Sequence, residues 1–174
     1  MAVAALKTGA MIVTGDTLGE GALCAEALAR ANVHPESGLA TDYLNHFNEA
    51  VMALEMLEAM PDMAEDVLAW RPAGYAEHFE RTNYAGREVV IAAYAAAPRA
   101  LKAHFETVVA ALDQAMTEAQ DLVREGRHAE AAAMAGAEIE PLLAAARAAV
   151  NGRIEGEDVD DQAAAQAGID ALFG

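Results

Sequence analysis

The sequence predicts an all-α protein, a helical bundle built on one long antiparallel helical hairpin. Three observations lead there. Hydrophobic residues make up 55% of the 174-residue chain, and alanine supplies much of that fraction. Alanine favours helix and fills little volume, so helices rich in it pack closely. Between Pro98 and Gly126, apolar residues recur at Leu101, Phe105, Val108, Leu112, Ala115, Ala119 and Leu122. Their steps alternate between four and three, which is the seam of one helix packed along another. Finally, Pro35, Gly38, Pro61, Pro72, Gly86, Pro98, Gly126 and Gly152 fall between the periodic segments, where they break helices.

Taken in order, residues 1–15 show no clear period. Thr17-Leu18-Gly19-Glu20 reads as a capping box that opens a first helix over about 18–31. The stretch NVHPESG is a loop. Thr41 is placed to cap a second helix, with Asp42 near its positive end, running to Met60 before Pro61. Asp62 to Glu65 forms another capping box for a short helix ending near Ala69. Pro72 starts a further short helix through Phe79, and Gly86 to Ala97 forms one more. Pro98 suits the first turn of the long helix. His128 to Val150 returns as its partner, with Met134, Leu142, Ala146 and Val150 inward. Pro141 should kink this helix and Asn151-Gly152 should end it.

Residues 1–152 thus form one helical unit. Residues 153–174 differ: EGEDVDD at 155–161 is acidic and poor in core formers, a linker signature, and a small apolar cluster of Ile169, Leu172 and Phe173 follows. The net charge of −17 repels phosphate backbones and anionic membranes and favours basic proteins or cations as partners. Nucleic-acid binding is not expected. No apolar run approaches the roughly 18 residues of a membrane span, and the start lacks the pattern of a secretory signal, so the reading is cytoplasmic. The single cysteine, Cys24, excludes an intramolecular disulfide and reads as a core residue of the first helix.

One polar stripe carries potential chemistry. Asp42, Asn45, His46 and Glu49 are spaced to share a helix face opposite Leu44, Phe47, Val51 and Leu54. Asp42 and Asn45 are candidates for orienting a catalytic water, and His46 and Glu49 for ligating a metal, though one helix supplies only two ligands. The bland alternative is a solvated face. Three His-Phe pairs (His46-Phe47, His78-Phe79, His104-Phe105) suggest Phe inward with His about 100° away at the boundary. No phosphate-cradling glycine loop and no zinc-type cysteine spacing is present, and no cofactor is expected. Trp70, beside Arg71-Pro72, reads as the anchor of a helix junction.

The ending DVDDQAAAQAGIDALFG resembles the short segments that bind chemotaxis-type response regulators. It is similar to the N-terminal segment of the flagellar motor switch protein and to the C-terminal peptide of the chemotaxis phosphatase. The resemblance implies that Ile169, Asp170, Leu172 and Phe173 contact a receiver domain. The helical hairpin also resembles that phosphatase, which uses one in a dimeric bundle, so a homodimer through the hairpin is implied. Its Asp-x-x-x-Gln pair is absent from the long helix, while Asp42 and Asn45 loosely match the acid-x-x-Asn pair of a second phosphatase type. The stretch TDYLNHFNEAVMALEML is similar to part of an uncharacterised bacterial helical family. The expected function is a bacterial signalling or chemotaxis interaction protein whose tail binds a response regulator. The alternatives are an aspartyl-phosphate phosphatase or a metal- or ligand-binding bundle.

Overall fold

A computed structural model describes residues 17–154. Eight α-helices follow one another: α1 (Ala25–Arg30), α2 (Asn45–Met56), α3 (Ala64–Ala69), α4 (Tyr75–Arg81), α5 (Arg87–Ala96), α6 (Arg99–Arg124), α7 (His128–Met134) and α8 (Glu140–Val150). Among the described residues there is no strand, only isolated bridges between Gly19 and Cys24 and between Val33 and Ala40. The all-α class read from the sequence is the class of this structure. The two ends of the chain, 1–16 and 155–174, lie outside the described residues, and with them the terminal motif.

The long helix forms as the spacing requires. Leu101, Phe105, Val108, Leu112, Ala115 and Ala119 are buried, but at the last turn Val123 replaces Leu122, which is half-buried. A straight helix advances 3.6 residues per turn, so over five turns the buried face drifts off a strict four-three alternation. After Gly126 the chain returns along α6 through α7, a π turn at Ala135–Ile139, and α8. The π turn stands immediately before Pro141 and absorbs its missing N–H by widening the backbone ring, where the sequence suggested a simple kink. Leu143, not Leu142, faces the core beyond it.

The N-terminal half departs further from expectation. No helix starts at Leu18. Gly19 and Gly21 take positive φ (88° and 53°), so only a 3-10 turn at Gly21–Leu23 forms before α1. Cys24 precedes α1 in extended conformation and is half-buried. Thr41 caps nothing. It opens a 3-10 turn, Thr41–Leu44, whose entry carries no side-chain cap, and the following α2 ends at Met56 rather than Met60. The Asp62 box is likewise absent: Pro61–Met63 is a 3-10 turn leading into α3. Pro72 lies in an extended link, and α4 begins after Gly74, whose N–H is bound by the Glu77 carboxylate at 3.3 Å.

One continuous core joins these pieces. Phe47 and Leu54 of α2 are fully buried in it, as are Phe79 and Leu112. Buried polar groups act as ties between distant segments. The Ser37 hydroxyl donates to the Val150 carbonyl at 2.5 Å and accepts from the Leu39 N–H at 3.1 Å, fastening the 32–40 loop to the end of α8. In that loop Gly38 has φ +70° and no room for a Cβ, which would stand 2.5 Å from the Ala93 carbonyl oxygen of α5. Gln120 of α6 donates to the carbonyls of Val67 and Trp70 at 2.8 and 2.9 Å, holding the end of α3 against the hairpin.

Two stability outcomes follow from these buried groups. Gln120→Leu adds apolar surface yet removes both donors, so it should destabilise by roughly 1–2 kcal/mol in urea unfolding. Asp113 behaves oppositely. Burial lifts its carboxyl from 3.8 to about 6, and its Oδ1 finds no hydrogen-bond partner. The native state therefore keeps a proton that the unfolded chain releases, and that stabilisation is full below the unfolded value and lost as pH rises through the folded one. Asp113→Asn should raise stability at pH 7.5 by about 1 kcal/mol, allowing for the half-exposed side chain, and change little near pH 4.

Candidate functional site

The start of α2 sets the site. Phe47 points into the core, so His46, one residue back, lies at the boundary. The same division holds at His78-Phe79 and His104-Phe105, where each Phe is buried and each His half-buried. Trp70 ends α3 in an extended conformation and is buried. Its Nε1–H donates to the His46 carbonyl at 3.0 Å, stapling the end of α3 to the first turn of α2. The chain then turns through Pro72 into α4 and brings His78 alongside. The His46 ring centre lies 5.2 Å from that of Trp70 and 5.7 Å from that of His78.

Between α2 and the α3–α4 junction a groove of about 760 Å³ opens over these rings. Met52 and Met56 of α2 form one edge, and Met63 and Asp66 contribute from the next turn and α3. Arg71 and Arg81 mark the end nearest α4. Both arginines are already engaged: Arg71 donates to the Leu68 and Trp70 carbonyls at 2.6 Å, and Arg81 pairs with Glu77 at 2.5 Å.

Burial pulls the His46 imidazole below its ordinary value, and His78 adds to the effect, while the nearby Arg71 backbone and the charge of Glu49 partly oppose it. Burial lowers His78 too, against the pull of Asp42. Both rings are therefore neutral at neutral pH. The His46 Nε2 is buried with no hydrogen-bond partner, so it is a free polar point beneath the groove.

The expected polar stripe divides. Asn45, His46 and Glu49 line the groove. Asp42 instead lies in the 3-10 turn before α2, where its carboxylate accepts from Asn32 Nδ2 at 2.6 Å and lies 3.1 Å from the Tyr84 hydroxyl. It ties two loops together, and burial beside it raises the Tyr84 phenol to about 12. Asn45 is exposed, and its Oδ1 accepts from Asn48 Nδ2 at 3.4 Å. Among the described residues no group of three or more His, Cys, Asp or Glu is arranged to hold a metal. The tail residues Ile169, Asp170, Leu172 and Phe173 lie outside the described residues.

Sequence reasoning did not find the methionine edge or the meeting of Trp70 with His46 and His78. A signal was present: four of the eight methionines fall within residues 52–63, and no Lys or Arg occurs between Arg30 and Arg71. No protein-family model, no curated protein and no solved structure gives a significant match to this chain. Among the described residues no helix is long and apolar enough to cross a membrane.

The two histidines give the groove a pH signature. Their folded values lie below 6.5. As pH falls through 6.5 the unfolded chain takes up protons that the native state refuses, so this contribution to stability is full above 6.5 and declines below it. His46→Phe combined with His78→Phe should therefore lose less stability than the wild type between pH 7.5 and 5.5, measured by urea unfolding at each pH. Equal losses in the two proteins would show that neither ring is desolvated in the native state.

Proposed function

We propose that this chain is a non-enzymatic interaction protein that receives a helical segment of a protein partner in the groove between α2 and the α3–α4 junction. The observation that carries this reading is the methionine edge. Met52, Met56 and Met60 are 60%, 39% and 47% exposed, and they are the large hydrophobic residues left exposed among those described. A clustered apolar surface beside a buried tryptophan is the arrangement of a binding face, and methionine's flexible, polarisable side chain adapts to apolar partners. The phosphatase alternative has less support, because the Asp42 carboxylate already holds Asn32 and faces the Tyr84 hydroxyl.

The terminal GIDALFG supports a second reading, in which Ile169, Asp170, Leu172 and Phe173 dock on a response-regulator receiver domain in bacterial signalling. An apolar i, i+3, i+4 triplet presents one small helical face of the kind that enters grooves. The two readings concern different surfaces and separate cleanly. Capture from a bacterial lysate should be compared for the full chain, for Met52→Glu with Met56→Glu, and for a chain ending at residue 152. A partner lost only with the methionine variant supports the groove, and one lost only on truncation supports the tail. An unchanged set of captured proteins in both variants would sink both readings.

A further inference from the structure

We infer that the occupant of this groove is a basic amphipathic helix, with an apolar face for the methionines and Lys or Arg on its flanks. The inference rests on the groove reading above and adds the partner's chemistry. Its basis is the charge of the segments that form the methionine edge. Between Arg30 and Arg71 the chain has no Lys or Arg but eight carboxylates. Glu49, Glu55, Glu58, Asp62, Glu65 and Asp66 are all exposed along α2, the connecting turn and α3. None of these six forms a salt bridge with another described residue, whereas carboxylates of α4, α6 and the hairpin turn do. Glu49 and Asp66 line the groove and the other four stand on the same segments, so the methionine edge lies in a stretch whose described side chains are predominantly negative.

The same charge argues against the other occupants. A second copy of this chain brings a net charge of −17. The chain's own tail reaches its apolar triplet only through EGEDVDD, and would set carboxylates against carboxylates. At the groove's far end Arg81 is paired with Glu77, and Arg71 keeps its charge, a single cation against the carboxylates of α2 and α3. A helix whose apolar residues recur at i, i+3 or i+4, and i+7 matches the methionine edge, and its flanking cations match these carboxylates. The chain's lone tryptophan is buried at the groove floor, so seating should be visible in Trp70 emission.

The experiment uses the full chain and tryptophan-free synthetic peptides of about 18 residues. One peptide has an apolar face and a Lys/Arg polar face. A second keeps the apolar face with a Glu polar face, a third scrambles the first, and a shorter fourth, of 13 residues, copies residues 162–174. The basic amphipathic peptide should change Trp70 emission saturably and bind more weakly as salt rises. Met52→Gln with Met56→Gln should weaken it at least about tenfold. Glu55→Gln, Glu58→Gln, Asp62→Asn and Glu65→Gln together should flatten the salt dependence. These six side chains are exposed, so far-ultraviolet circular dichroism should confirm unchanged folding. Equal binding of the scrambled peptide would overturn the inference by reducing it to undirected charge attraction. Equal or tighter methionine-dependent binding of the Glu-faced peptide or of residues 162–174 would overturn the basic partner while leaving the groove reading standing. Binding of no peptide, or binding indifferent to the methionines, would overturn both.

Discussion

Large side chains are scarce in this protein, and the fold depends on bringing them together. The chain has four Phe, four Tyr and one Trp. The eight that lie among the described residues form one connected set of ring contacts. Tyr43 meets Phe47, Tyr75 and Phe105, Phe47 meets Trp70, Tyr75 meets Phe79 and Tyr94, and Phe79 meets Tyr84. Alanine-rich helices bury little area each, so α1, α3 and α4, at six or seven residues, could not persist on propensity alone. The rings give them something to pack on. The hydroxyls complete the arrangement. Tyr43 donates to the Ala73 carbonyl and Tyr75 accepts from the Ala40 N–H, both at 2.8 Å. Burial raises both phenols, so they remain protonated. Each ring is thus both filler and tie, which suits a fold with few of them.

What could be read from the sequence follows from how local each determinant is. The hairpin of α6 to α8 was legible because its signal is a long period in the residues themselves. The inward Phe and boundary His of the three pairs were legible for the same reason. The short N-terminal elements were not. Thr17 and Thr41 look like caps, but their helices begin elsewhere, because Gly19 and Gly21 break the first and a 3-10 turn precedes the second. Cap signatures state what a residue can do for a helix, and tertiary packing decides where the helix starts. Likewise Asp42 and Asn45 share a face only if α2 includes both. Once the 3-10 turn takes Asp42, Asn32 and Tyr84 claim its carboxylate.

The groove was illegible for a different reason. Its floor comes from three elements, and its methionines look like core filler in a helix with apolar residues on most sides. Phe47, Val51 and Leu54 occupy the core face of α2. Met52 and Met56 are left over, one turn apart on a side that no described element covers. The pattern distinguishes filler from leftover only once it is known which neighbours arrive. Charge is the better clue, because it needs no partner assignment. A run from Arg30 to Arg71 with no Lys or Arg between them is unusual in a chain whose carboxylates elsewhere pair with arginines.

The groove is also where the aromatic network reaches the surface, and this gives it two mechanical parts. Its floor is stiff. Trp70 is held through its Nε1–H by His46, its carbonyl is bound by Gln120 of α6, and its ring packs on Phe47, which packs on Tyr43. Its edge is soft, because an exposed methionine rotates freely about three bonds and makes few fixed contacts. A stiff floor keeps the site formed before anything binds, so little ordering of the scaffold opposes association. A soft edge lets side chains of different shape settle against it. Together these favour recognition of a pattern, an apolar stripe with flanking charge, over recognition of one particular sequence. The free Nε2 of His46 fits the same division, since it is a single fixed polar point under a surface whose remaining contacts are adaptable.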